Sequence, residues 1–231
     1  AGAWAMAISA AVIGGLFPRI GAVLAFVSLA VGMAASSSYV AAALFAAVVA
    51  AWFFTCGRLS KAAAVAGSSV AALSLMGALS VLPLLSGLCL RVRDALGTTL
   101  FGIASALLLS YCGMGSFTGG GLFVPGSLAG GVEQGVIAQL SNPSVWVVGA
   151  SWLAAAAAGA LLCSRGGRAL PALGMASSTA ILVFGLMARA FIESGLASWV
   201  PDPADIAVVV VFGLAAAGIA AWLGAPVRSN S

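Results

Sequence analysis

The chain has 231 residues, of which 63% are hydrophobic and only 6% are charged, and its formal net charge is +4. A soluble domain carries about 25% charged residues, so this composition excludes a water-soluble globular protein. Its long Ala-, Leu- and Val-rich runs lack the alternation of barrel strands and predict helices buried in lipid. We therefore expect an all-α, polytopic integral membrane helix bundle forming one domain over 1–231, because no long polar linker divides the chain.

The apolar runs predict about seven full membrane spans plus a broken, half-length helix around Pro83, given that a span needs about 20 apolar residues. Residues 113–131 contain eight glycines, which predicts a Gly-rich outer loop. In chain order, the runs cover about 1–17, 20–35, 39–56, 62–79 with a short return over 83–90, 95–112, 144–163, 169–192 and 205–223.

The stretch over 62–90 is long for one span and short for two, and Pro83 divides it. Proline breaks a helix interior, and Gly87 follows within a turn, so we expect a helix to about Leu79 and then a short returning helix. A short helix of this kind is stable in a membrane when it is buried in protein.

The charges predict an orientation, because Lys and Arg concentrate in cytoplasmic loops. If residue 1 lies outside and 62–90 forms a hairpin, every basic residue except Arg189 falls on the cytoplasmic side, including Arg228 near the end of the chain. A single helix through 62–90 would instead place Arg91 and all later basic loops outside. The predicted location is the inner (cytoplasmic) membrane of the cell.

Arg189 and Glu193 are four residues apart near the end of a span, so they share one helix face. Such a pair is either an intramembrane functional pair or an interfacial salt bridge whose side chains reach the headgroups. Both interpretations remain open on sequence alone.

Glu133, Gln134 and Gln139 follow the Gly-rich loop and predict an outer polar face, either beside a ligand or at the membrane interface. The chain has no histidine, Walker loop or G-x-S-x-G motif, so we assign no catalytic residue, metal site or cofactor. The four cysteines are widely spaced and are interpreted as small apolar helix residues.

Short motifs in the first 110 residues carry a family resemblance. They are Phe17-Pro18-Arg19-x-Gly21, Ala50-Ala51-Trp52, Leu82-Pro83-Leu84-Leu85-x-Gly87 and Arg91-x-Arg93. This pattern resembles the multi-pass membrane region that follows the kinase domain in some actinobacterial serine/threonine protein kinases. The resemblance implies a cytosolic kinase domain upstream of residue 1, and none of the kinase's own catalytic motifs lie in this chain.

Three functions follow as hypotheses. The first is an anchor or sensor module of a larger protein, such as a receptor-like kinase, and the missing initial Met favours it. The second is a small permease or the substrate-binding subunit of a transporter for an apolar or neutral solute, since broken helices are typical of transport sites. The third is a structural membrane subunit. The expected partners are the lipid bilayer and the upstream domain, with no nucleic acid, and the oligomeric state is open.

Overall fold

The computed structural model describes residues 18–36, 39–58, 60–75, 78–111, 137, 139–165, 169–194, 201 and 203–223. Within these ranges the chain is helical and contains no strand, which confirms the predicted all-α class. The helices are α1 Pro18–Ser36, α2 Tyr39–Trp52, α3 Lys61–Leu75, α4 Leu82–Cys89, α5 Val92–Tyr111, α6 Pro143–Cys163, α7 Ala169–Ser194 and α8 Pro203–Leu223.

Five helical segments in the described ranges are long and apolar enough to cross a membrane, against the predicted number of about seven. They are Tyr39–Gly57, Val92–Leu109, Pro143–Cys163, Ala169–Glu193 and Pro203–Trp222. Helix α1 contributes a shorter apolar segment, Ile20–Ala35. The predicted span 1–17 and the predicted loop 113–131 lie outside the described residues.

Large apolar side chains cover the outer surface of the bundle. On α8, for example, Val211 is 63% exposed, Leu214 68% and Trp222 80%. An exposed apolar surface of this extent is unsuited to water and indicates a membrane-embedded protein.

The predicted helix over 62–79 is shorter than expected, because α3 ends at Leu75 among the described residues. The amide of Ala78 donates to the carbonyl of Leu73, at 2.9 Å, and closes the end of the helix. A 3₁₀ turn, Leu79–Val81, then leads into α4. Pro83 lies in the first turn of α4 rather than in a helix interior. Proline is tolerated there because the N–H groups of a first turn have no hydrogen-bond partner within the helix, so the missing N–H costs nothing.

Helix α4 lies at the centre of the bundle. It contacts α3, α5, α6, α7 and α8, while α1 packs on α2 and α3 at one side. Six of its eight residues are buried. The helix is too short to span a bilayer, and its surface is covered by protein rather than by lipid.

Helices α3 and α4 run in opposite directions, so the end of α4 lies at the same depth in the bundle as the start of α3. A buried cluster joins the first turns of α3, the residue after α4, the first turn of α5 and the last turns of α6. Its members are Ala63, Ala66, Leu90, Ala95, Ala156 and Ala160. The end of α2 lies at the same level, because a Cβ atom on Gly97 of α5 would meet the Sγ atom of Cys56.

Five exposed basic residues of the described chain flank this end of the bundle, which we call the basic end: Arg58, Lys61, Arg91, Arg93 and Arg165. Arg19 lies in the first turn of α1. The only described acidic residue at this end is Asp94, in the first turn of α5.

Candidate functional site

Arg189 and Glu193 form an ion pair at the end of α7, opposite the basic end. Arg189 Nε donates to Glu193 Oε1 at 2.9 Å, and the two side chains are 13% and 35% exposed. The sequence places the two residues on one helix face, and the structure brings their charged groups into contact. The same carboxylate oxygen lies 3.0 Å from Ser144 Oγ, at the start of α6.

Ser144 belongs to the cap that begins α6. Asn142 Oδ1 accepts from Ser144 N at 3.0 Å and from Ser144 Oγ at 2.8 Å, and Pro143 occupies the first turn. Because a hydroxyl has one proton, Ser144 Oγ shares it between Asn142 and Glu193. The Glu193 carboxylate is thereby held at the positive end of the α6 dipole, where negative charge is stabilising.

Gln139 is buried, whereas a polar face at the outer interface would expose it. The residue is 6% exposed, and neither amide atom has a hydrogen-bond partner among the described residues. Ile137 and Leu140 face outward in its place, and Trp146 Nε1 donates to the Leu140 carbonyl at 2.7 Å. The turn that leads into Pro143 therefore directs apolar side chains outward and the amide inward. Glu133 and Gln134 lie outside the described residues.

The central helix α4 is held to α5 by a buried pair of hydroxyls. Ser86 Oγ and Thr99 Oγ1 are 3.0 Å apart, and Ser86 Oγ also lies 3.1 Å from the carbonyl of Pro83. One turn away, a Cβ atom on Gly102 of α5 would collide with Leu82 of α4. The two helices thus run antiparallel in a register that this glycine and these hydroxyls determine.

Helices α4 and α6 cross at two glycines. A Cβ atom on Gly87 would lie 3.2 Å from the carbonyl oxygen of Ala156 and 3.4 Å from the Cα atom of Gly159. Ser178 of α7 completes this crossing, since its hydroxyl lies 2.8 Å from the Ala155 carbonyl and would lie 2.9 Å from a Cβ atom on Gly159. Small residues permit this close approach, on which helix association in lipid depends.

A buried tryptophan contact that the sequence analysis did not predict lies on the other side of α5. Trp52 Nε1 donates to Thr98 Oγ1 at 3.3 Å, and the indole stacks on Phe101 with ring centroids 4.8 Å apart. Gly57 and Gly67 make room for the ring. The available signal was the Thr98-Thr99 pair inside a largely apolar span, since polar side chains buried in a membrane favour hydrogen-bond partners on neighbouring helices.

The π-helical turn Phe53–Gly57 follows Trp52 directly. It ends α2 beside Gly97 of α5 and directs Cys56 into the core. Such turns insert one extra residue into a helix and re-aim the side chains that follow. Trp52 and Cys56 both face α5, where they meet Thr98 and Gly97.

The described residues contain no group of three or more His, Cys, Asp or Glu side chains able to hold a metal ion. Comparison of the chain with protein-family models, with curated proteins and with solved structures found no match. The described part of the bundle has a tightly packed centre, a basic end, and an ion pair at the opposite end.

Proposed function

We propose that this chain is the membrane-embedded anchor and sensor module of a larger protein, of the kind that carries a cytosolic serine/threonine kinase domain in bacteria. The observation that carries the proposal is the segregation of charge. Five exposed basic residues flank one end of the bundle, and the described ion pair lies at the other. A basic end of this kind is typical of the cytoplasmic side of a membrane protein.

The proposed topology has about seven full spans, with residues 1–17 as the first and α3 with α4 as a hairpin that returns to the cytoplasmic side. The cluster that joins Ala63 to Leu90 supports the hairpin. This arrangement places residue 1 outside the inner membrane and Arg228 inside. An upstream cytosolic domain then requires at least one further span before residue 1.

The close packing of the centre supports an anchoring role. The backbones of α4 and α6 are in contact at Gly87 and Gly159, and α5 approaches α4 at Gly102. Contacts of this kind couple helices rigidly, so a displacement at the outer end of α6 or α7 is transmitted to the basic end. The Glu193–Ser144 contact joins these two helices at that outer end.

The decisive experiment is to sequence the DNA upstream of residue 1 in the source organism and to detect the full-length product in its membranes. The proposal expects one reading frame with a cytosolic domain, and a purified full-length protein that transfers phosphate from ATP if that domain is a kinase. A start codon close to residue 1, with no cytosolic domain before it, would overturn the proposal.

A permease for a neutral solute is the second candidate, and α4 is the observation that favours it. Half-length helices at the middle of a bundle form the binding sites of many transporters, and Ser86 with Thr99 supplies neutral hydrogen-bonding groups beside α4. This candidate expects solute uptake that Ser86→Ala abolishes while the protein level in the membrane is unchanged. Uptake unaffected by that substitution would count against it.

A further inference from the structure

We propose that the basic end binds the headgroup of an anionic phospholipid, at the ends of α5 and of the two helices on which it packs, α3 and α6. The cations concerned are Lys61, Arg91, Arg93 and Arg165, all of them exposed. In the described part of the chain none of these four takes part in an ion pair, and Asp94 is the acidic residue nearest to them in sequence. Their charges repel one another, and a bound anion relieves that repulsion.

The packing of α5 on α3 and α6 places the four cations at one end of the bundle. Lys61 precedes Ala63 by two residues, and Arg93 precedes Ala95 by two. Arg91 follows Leu90 directly, and these alanines and Leu90 belong to one buried cluster with Ala160 of α6. Arg165 lies five residues after Ala160, just beyond the end of α6. Residues two apart do not share a helix face, so Lys61 and Arg93 point away from this cluster, and the four exposed cations form a basic rim around it.

The apolar surface beside the rim identifies the anion as a lipid rather than a soluble phosphate. Each helix carries an exposed apolar side chain one or two turns deeper in the bundle than its cation. These are Val65, four residues after Lys61, Leu100, seven after Arg93, and Leu161, four before Arg165, and each is at least 50% exposed. Val65 and Leu100 lie on the same helix faces as Lys61 and Arg93, and Leu161 lies in the last turn of α6, just before Arg165. A phosphate held by one of these cations would have its acyl chains along the exposed apolar side chain beside it.

The test is a titration of the full 231-residue chain in detergent, followed by native mass spectrometry. Phosphatidylglycerol and phosphatidylcholine are compared at the same concentrations, and inorganic phosphate is a third arm. We expect phosphatidylglycerol to bind more tightly than phosphatidylcholine, and inorganic phosphate to compete poorly. The double substitution Arg91→Gln/Arg93→Gln should weaken phosphatidylglycerol binding about 25-fold. Each cation near a charged lipid surface strengthens binding about fivefold, and two are lost.

The control is Arg189→Gln, which removes one positive charge at the opposite end of the bundle and should leave the affinity for phosphatidylglycerol unchanged. Circular dichroism checks that each variant keeps its helix content. Equal binding of the two lipids, equal loss in Arg189→Gln and the double variant, or full competition by inorganic phosphate would each overturn the proposal. None of these results depends on whether a kinase domain precedes the chain.

Discussion

Gly87 and Gly159 illustrate how single residues determine the packing of this bundle. The two backbones touch where α4 crosses α6, and a Cβ atom on Gly87 would already be within 3.2 Å of a backbone oxygen. We expect Gly87→Val to destabilise the protein by about 1–3 kcal/mol, because a branched side chain there must displace backbone. Thermal unfolding in detergent, followed by circular dichroism, measures the loss.

Gly218 of α8 is the matched control for that substitution. A Cβ atom there meets nothing within 4 Å, and the residue is exposed. Gly218→Val should therefore change the free energy of unfolding by less than about 0.5 kcal/mol, as surface substitutions usually do. An equal effect of the two substitutions would show that the α4–α6 crossing is looser than described.

The neighbours Thr98 and Thr99 should respond differently to the same change. Thr98→Val removes the acceptor of the Trp52 indole N–H, and a buried donor left without a partner costs about 1–3 kcal/mol. Thr99→Val costs less, about 0.6 kcal/mol, because Ser86 can still donate to the Pro83 carbonyl. The same unfolding measurement compares the two variants, and a larger loss for Thr99→Val would contradict the assigned hydrogen bonds.

Local sequence predicts some of these sites and not others. Arg189 and Glu193 were found because residues four apart on a helix must share a face, whatever surrounds them. Trp52 and Thr98 are 46 residues apart, and only the packing of α2 on α5 brings them into contact. The burial of Gln139 depends in the same way on the turn before Pro143, which a polarity pattern does not reveal.

At the scale of the elements, the long spans are the part of the fold that hydropathy predicts best. A lipid-facing helix is apolar over its whole length, so its ends coincide with the ends of the apolar run. The predicted runs 95–112, 144–163, 169–192 and 205–223 match α5, α6, α7 and α8 to within three residues at each end. Helix α3 ends before the predicted limit, because a 3₁₀ turn and the packing of α4 replace its last turn.

The return of the chain through α3 and α4 has a direct chemical test. A Cβ atom on Gly97 would lie 4.0 Å from Cys56 Cβ, within the range of about 3.5–4.5 Å that disulfides require. We expect Gly97→Cys to form a disulfide with the native Cys56 when membranes are treated with a mild oxidant. Peptide mass spectrometry without reduction identifies the cross-linked pair.

Gly97→Ser is the control for that cross-link, since it has a similar size and cannot form one. A single helix through 62–90 would separate residues 56 and 97 by the thickness of the membrane, roughly 30 Å, and would prevent the bond. Free thiols at both positions after oxidation would therefore contradict the hairpin as well as the contact.

At the scale of the whole molecule, the separation of charge predicts which parts of the chain face each side of the membrane. Four exposed positions serve as probes, two at the basic end and two at the other, each replaced by cysteine in a variant whose native cysteines are alanine. They are Arg91, Arg165, Ile137 and Glu193. In intact spheroplasts, a membrane-impermeant maleimide should label Ile137→Cys and Glu193→Cys, and it should label Arg91→Cys and Arg165→Cys only after permeabilisation.

The comparison of positions 91 and 165 makes this labelling experiment decisive. Both lie at the basic end, but one precedes α5 and the other follows α6, so two spans and the Gly-rich segment separate them along the chain. The proposed topology requires them to react from the same side, because an even number of crossings separates them. Labelling of Arg91→Cys from outside with Arg165→Cys protected would mean that α5 and α6 do not both cross. Labelling of both from outside would mean that the chain has the reverse of the proposed orientation. Any domain upstream of α1 would then lie on the opposite side of the membrane from the side that the charges predict.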